Sequence, residues 1–226
     1  MTRSEAIARV ARADLNLFPA EERARTLESM LGEAWDTDRG GRRCRRSLQE
    51  ELTSGELEAD PSSSRYDAAI LLSIAYRYRG ATNDYLIRRL GQLGLAPETI
   101  VGEPASMEAC PCCGHRTLDA RGQYDICVVC WWEDDGQDNQ DADQTLGGPN
   151  DGINLSRARA NFLIHGIYDP ARDDLRALQE PPDKFAHARD FVLADGDSVV
   201  EEPAAAWRSR PISPVRPGSG STGNRA

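Results

Sequence analysis

Cys110-Pro-Cys-Cys-Gly114 and Cys127-Val-Val-Cys130 form two Cys-x-x-Cys pairs separated by a segment of 13 residues. A two-residue gap lets both sulfurs of a pair face one ion at about 2.3 Å, and a hairpin through the intervening segment brings the two pairs together. Cys110, Cys113, Cys127 and Cys130 are therefore the expected ligands of one zinc ion. Pro111 fixes φ at the start of the first turn, and Gly114 lets the backbone bend beneath the sulfurs so that its N–H groups can point at thiolates. Four thiolates complete a tetrahedral shell and leave no position for water, so the expected Zn2+ is structural and supplies no chemistry.

Two other readings compete. Disulfides suit secreted chains, whereas Met1-Thr-Arg-Ser-Glu-Ala-Ile-Ala-Arg-Val10 has no apolar run followed by a small-residue cleavage site. A redox dithiol wants one pair at a helix N-terminus after a strand, and two facing pairs are better explained by one ion. Cys112 sits inside the first knuckle, where its side chain is expected to project away from the ion as a free thiol; an alternative ligand role and reaction with an oxidant stay open. His115 is a fallback ligand, and Cys44 lies alone among arginines.

Downstream, residues 133–151 carry Glu133, Asp134, Asp135, Asp138, Asp141, Asp143 and Asp151 with no basic residue, which reads as a solvated loop. No register gives the oxygen spacing of an EF-hand. Ser156 is a candidate cap for a helix ended by Gly166, and residues 171–179 read as a further short helix. From Pro203 to Ala226 the chain is rich in Pro, Gly, Ser and Arg without periodicity, and disorder is expected. Within the cysteine module, Gln123 to Ile126 suits a strand, and Trp131 and Trp132 supply bulk for a small core.

Upstream, the text reads as helices. Ser4 caps a segment through Ile7 and Val10, and residues 21–35 place Leu27, Met30, Leu31 and Trp35 at helical spacing. Ser47 with Glu50, and Ser64 with Asp67, form possible capping boxes. The second opens a helix over 68–79 ended by Gly80; Thr82 opens another carrying Leu86, Ile87 and Leu90, ended by Gly91. This pair, with Arg77, Arg79, Arg88 and Arg89, also fits a helix-turn-helix.

The predicted fold class is α+β: a mainly α-helical N-terminal domain over 1–106, a small zinc-ribbon-like cysteine-rich module over 107–180, and a C-terminal extension over 181–226, disordered from about 203. Only 39% of the residues are hydrophobic, which argues for small modules over one large core. A net charge of −10 disfavours general affinity for nucleic-acid phosphates. The longest apolar-rich run, Ala68 to Tyr76, is far short of the roughly 20 residues of a membrane span. No phosphate-binding glycine loop and no nucleophile motif near His115, His165 or His187 appears, so no catalytic or cofactor-binding residue is assigned and no enzyme is expected.

The run Cys110-Pro-Cys-Cys-Gly114, Thr117-Leu118, Gly122-Gln-Tyr-Asp-Ile-Cys127-Val-Val-Cys130-Trp-Trp-Glu-Asp-Asp135, then Gly148-Pro-Asn150, Asn154-Leu155 and Ala158-Arg-Ala-Asn161, resembles the bacterial cysteine-rich CPCC domain family. The likeness covers residues from about 108 to 166. A proline usually follows the third cysteine in that pattern, and Val128 stands there here. The resemblance supports a domain and its metal ligands and names no reaction. The expected function is a cytoplasmic protein-interaction module, adaptor or immunity-like, whose partner is another protein. The alternatives are a zinc-containing nucleic-acid-binding regulator and a thiol redox sensor using Cys112.

Overall fold

The chain is seen in a computed structural model that describes residues 1–30, 54, 60–95, 97–194 and 198–203. Cys44, the Ser47–Glu50 box, Trp35 and the expected disordered tail beyond Pro203 lie outside the described residues.

The fold is α+β, and its N-terminal part is helical. Helix α1 (Arg3–Leu17) begins two residues before the position expected from Ser4, because Thr2 and Glu5 complete a reciprocal capping box. Its buried side chains Ala6, Val10 and Ala11 share one core with Leu27 of α2 (Ala20–Glu28) and with Ala69, Ile70 and Ile74 of α3 (Asp67–Arg77), and α3 packs against both α1 and α2. A 3-10 turn, Ser64–Tyr66, precedes α3 and is capped by Ser63, one residue earlier than expected. Thr82 caps α4 (Asn83–Gln92) by accepting the Tyr85 N–H, and Leu86 and Leu90 enter the core. Gly91 does not stop this helix; the chain turns at Gly94, whose φ is +73°. Buried Arg3 closes the other end of the bundle. It donates to the carbonyls of Tyr78, Arg79 and Ala81, satisfying acceptors that the end of α3 leaves open.

A second core gathers Cys110, Cys113, Cys127, Cys130, Leu118, Val129, Trp132, Leu155, Ala158 and Ile167. Strands β1 (Glu108–Ala109) and β2 (Arg116–Leu118) pair antiparallel across the first knuckle. The strand expected over 123–126 is absent; Ile126 makes a lone antiparallel bridge to Glu133. Helix α5 (Leu155–His165) is capped by Asn154 rather than Ser156, and ends at Gly166 in the left-handed region. The segment expected as a helix over 171–179 is a 3-10 turn, Asp173–Leu178. A hairpin of β3 (Asp190–Leu193) and β4 (Val199–Glu202) packs on α5, with Val192 opposite Val200.

Residues 184–187 tie the two cores together. The Lys184 carbonyl accepts the Thr82 N–H at 2.8 Å, Ala186 accepts the Arg116 N–H at 2.9 Å, and Phe185 is buried. Lys184, the chain's only lysine, lies 3.0 Å from Glu180 and 3.9 Å from the centroid of the Tyr78 ring. Arg77–Glu180 at 2.9 Å and Arg79–Asp119 at 3.0 Å join the same two parts. Among the described residues, no helix is long and apolar enough to cross a membrane.

Candidate metal centre

The two knuckles share one hydrogen-bond pattern, seventeen residues apart. In the first, Gly114 N–H donates to Cys110 O at 2.9 Å and Cys110 N–H to His115 O at 2.9 Å; in the second, Trp131 N–H donates to Cys127 O at 2.8 Å and Cys127 N–H to Trp132 O at 2.9 Å. The residue after each pair takes the left-handed conformation, φ +76° at Gly114 and +68° at Trp131. Glycine meets that need freely; a tryptophan does so at a cost of order 1–2 kcal/mol. Gly114 is also held by space. A β-carbon there would lie 1.9 Å from the Arg189 carbonyl oxygen, because Ala188 and Arg189 N–H both donate to Gly114 O.

This repeat brings Cys110, Cys113, Cys127 and Cys130 together, with all four sulfurs within 4.8 Å of one another and every residue buried. Cys110 Sγ lies 3.6 Å from Cys130 Sγ, and Cys113 Sγ 3.6 Å from Cys127 Sγ. A tetrahedron with metal–sulfur bonds of about 2.3 Å has edges of about 3.8 Å, whereas a disulfide needs about 2.05 Å, so the spacing suits a shared ion. The four cysteines can hold a metal ion.

The electrostatics agree. Burial opposes ionisation of all four thiols and pushes Cys110 up to about 11, with Cys113 and Cys130 well above the ordinary thiol range. Burial acts on Cys127 too, yet hydrogen bonds from the other three thiols and Thr117 take it well below that range. Burial therefore opposes a cluster of bare thiolates, and a central cation would let all four ionise. Thr117, which donates its hydroxyl to Cys127 Sγ at 3.1 Å, was not singled out by sequence; nothing in a lone threonine ten residues before a cysteine marks it.

Cys112 lies outside the four-sulfur cluster, as expected, and its thiol is buried. It is 1% exposed and sits beside Pro111, whose carbonyl accepts from Arg159 Nε at 2.8 Å. His115 is not among the sulfur cluster. Its ring faces His187 at 4.6 Å, and burial together with that neighbour lowers its pKa to about 4.

The acidic segment 133–151 differs most from its expectation as a solvated loop. Asp134 is fully buried and accepts from Arg121 Nε at 2.9 Å and Gly122 N–H at 2.7 Å. Asp138 accepts from Arg121 and Arg189, and Arg189 also bonds Glu201 on β4. Burial raises the Asp138 carboxyl, but the Arg189 and Arg121 guanidiniums outweigh it and hold the group far below the usual carboxylate range. The counter-charges come from 13 to 51 residues away in sequence, so a local charge count could not find them.

Residues 108–183 match the cysteine-rich CPCC family. This segment is a cysteine-rich CPCC domain. The match runs further than the likeness read to about 166, and takes in the 3-10 turn Asp173–Leu178 and the Glu180 that pairs with Arg77. No curated protein and no solved structure matches the chain. The CPCC domain thus contributes both knuckles, the acidic segment and α5, while the residues after 183 lay His187 and Arg189 against its first knuckle.

Proposed function

We propose that the chain is a cytoplasmic protein-interaction module, adaptor or immunity-like, in which Zn2+ at Cys110, Cys113, Cys127 and Cys130 is structural, and that it is not an enzyme. The observation that carries the structural assignment is enclosure: all four cysteines are buried around one point, so an ion there has a complete sulfur shell and no face for substrate. Structural zinc of this kind contributes roughly 10–16 kcal/mol of apparent binding energy, ample for a core this small.

Charge supports a basic protein as the partner. The CPCC domain holds fifteen carboxylates against six arginines, a balance of −9 within a chain of −10, and Zn2+ with four thiolates adds two further negative charges. The same balance weighs against nucleic acid. Of the helix-turn-helix arginines, Arg77 pairs with Glu180, Arg79 with Asp119, Arg88 with Asp183 and Arg89 with Asp14. Phosphates would have to displace these carboxylates.

The test is elemental analysis of protein purified without added metal, repeated on Cys110→Ser and Cys127→Ser. About one zinc per chain in the wild type, lost in both variants, is expected; metal kept by both variants refutes the site, and iron in place of zinc refutes the zinc assignment. For the interaction, zinc-loaded protein immobilised in host lysate should retain a basic protein, and a gel shift at low salt should show no nucleic-acid complex at micromolar protein. Recovery of no partner, or a clear shift, reverses the assignment.

A further inference from the structure

A cavity of about 130 Å³ opens where the helical bundle meets the second knuckle. Its apolar wall is Met107, Ile126, Val128 and Phe185, and Gly80 leaves its base open, since a β-carbon there would come within 3.0 Å of Met107 Cγ. The volume is slightly below that of an apolar cavity of about 150 Å³ that holds a benzene ring. Here charged side chains line the cavity beside its apolar wall, so a ring would enter with its edge toward the charged rim. The cavity is built from both parts of the chain, at the kind of boundary where binding sites concentrate.

The charges at its rim are not equivalent. Arg77 and Glu180 neutralise each other across the boundary, and so do Arg79 and Asp119. Asp125 also lines the cavity. Its Oδ2 accepts the Asp119 N–H at 3.1 Å, and among the described residues no arginine or lysine pairs with it. The rim therefore carries one uncompensated carboxylate beside an apolar hole.

The chain next to it is shaped to expose apolar side chains. Ile126 is 47% exposed and Tyr124 59% exposed, in a domain whose other aromatic residues are largely covered. Tyr124 holds φ at +61°, a conformation unfavourable for a residue with a β-carbon, fixed by its N–H donating to Asp134 O at 3.0 Å. The buried Asp134 thus anchors a strained turn whose side chains point out of the fold.

We propose that this cavity is the docking site for a segment of a partner protein that inserts one aromatic side chain flanked by arginine or lysine. The aromatic ring fills the Met107, Ile126, Val128 and Phe185 pocket, and the flanking cation meets Asp125. The acidity of the CPCC domain favours that partner over an acidic one. This rests on the reading of the chain as a protein-interaction module and names its contact surface.

The probe is a blocked synthetic pentapeptide, Gly-Arg-Trp-Arg-Gly, titrated into the full zinc-loaded chain and followed by amide chemical shifts. Saturable shifts are expected at Gly80, Met107, Ile126 and Val128, with an affinity near the millimolar range for so short a ligand. The peptide with Trp replaced by Ala, and the peptide with Arg replaced by Glu, should each bind at least about tenfold more weakly. Asp125→Asn should weaken the parent peptide by a similar factor, and Ile126→Asp, at a half-exposed position, should remove it. Gly80→Ala, which narrows the cavity without touching the exposed surface, should weaken it too. Shifts elsewhere, equal binding of the glutamate peptide, or no shift at several millimolar overturns the site. A host protein that binds the wild type and Ile126→Asp equally also overturns it, while leaving the interaction reading intact.

Discussion

Gly114→Ala places a methyl group where the structure has a backbone oxygen. The added carbon would sit 1.9 Å from Arg189 O and 2.9 Å from His187 Nε2, at a φ of +76°. The left-handed conformation costs an alanine roughly 1–2 kcal/mol, and forcing apart a packed contact costs roughly 1–3 kcal/mol more. Relief is restricted, since Arg189 is held by its N–H on Gly114 O and by its guanidinium on Asp138 and Glu201. The expected loss is about 2–5 kcal/mol, or a fall in Tm of about 5–15 °C for a chain of this size. Gly91→Ala is the internal control: its added carbon meets nothing within 4 Å, it lies inside α4, and it should gain about 0.5–1 kcal/mol. The assay is urea unfolding followed by tryptophan fluorescence at saturating zinc, which keeps the metal contribution constant. If Gly114→Ala loses less than about 0.5 kcal/mol, the packing of residues 187–189 on the first knuckle is wrong.

Three further outcomes follow from buried or joined charges. His115 is lowered to about 4 by burial and by the facing His187, so its folded pKa is below the unfolded value and stability should fall as pH drops from about 6.5 towards 4; His115→Gln should flatten that part of the profile, and an unchanged slope refutes the assignment. Asp134→Asn keeps shape but removes the charge beneath Arg121 and the Tyr124 turn; about 2 kcal/mol should be lost in urea unfolding, less than for a fully enclosed pair because Arg121 is partly hydrated. Lys184→Met removes the contact over Tyr78 and one partner of Glu180, with an expected loss of about 1–2 kcal/mol and faster amide exchange in residues 78–82; unaltered exchange there would show that Lys184 does not join the two cores.

Much of the architecture was written in local pattern. Leu86 and Leu90 at four-residue spacing behind Thr82 specify α4, and the hydroxyl cap and both burials are found there. The caps that sequence misplaced, Thr2 for Ser4, Ser63 for Ser64 and Asn154 for Ser156, are one or two residues off, because several neighbouring residues can accept the same N–H and only the turn of the incoming chain selects one. The acidic segment was misread for a different reason. Its partners Arg121 and Arg189 come from other stretches, and local composition says nothing about charges that folding brings near.

The sequence alone picked out the four cysteines that the fold brings together, since two-residue gaps and a returning segment leave one sensible way to surround an ion. It also determined the helical character of the N-terminal part through apolar spacing. Packing in three dimensions was needed to see that Trp131 repeats the conformation of Gly114, that Thr117 bonds a sulfur, and that Cys112 is buried. It alone placed residues 184–189 between the helical core and the first knuckle, leaving a cavity beside Ile126. Ligand spacing and helix periodicity are carried by neighbours within a few residues. Burial, paired charges and cavities depend on where distant segments come to rest, and that is settled by packing.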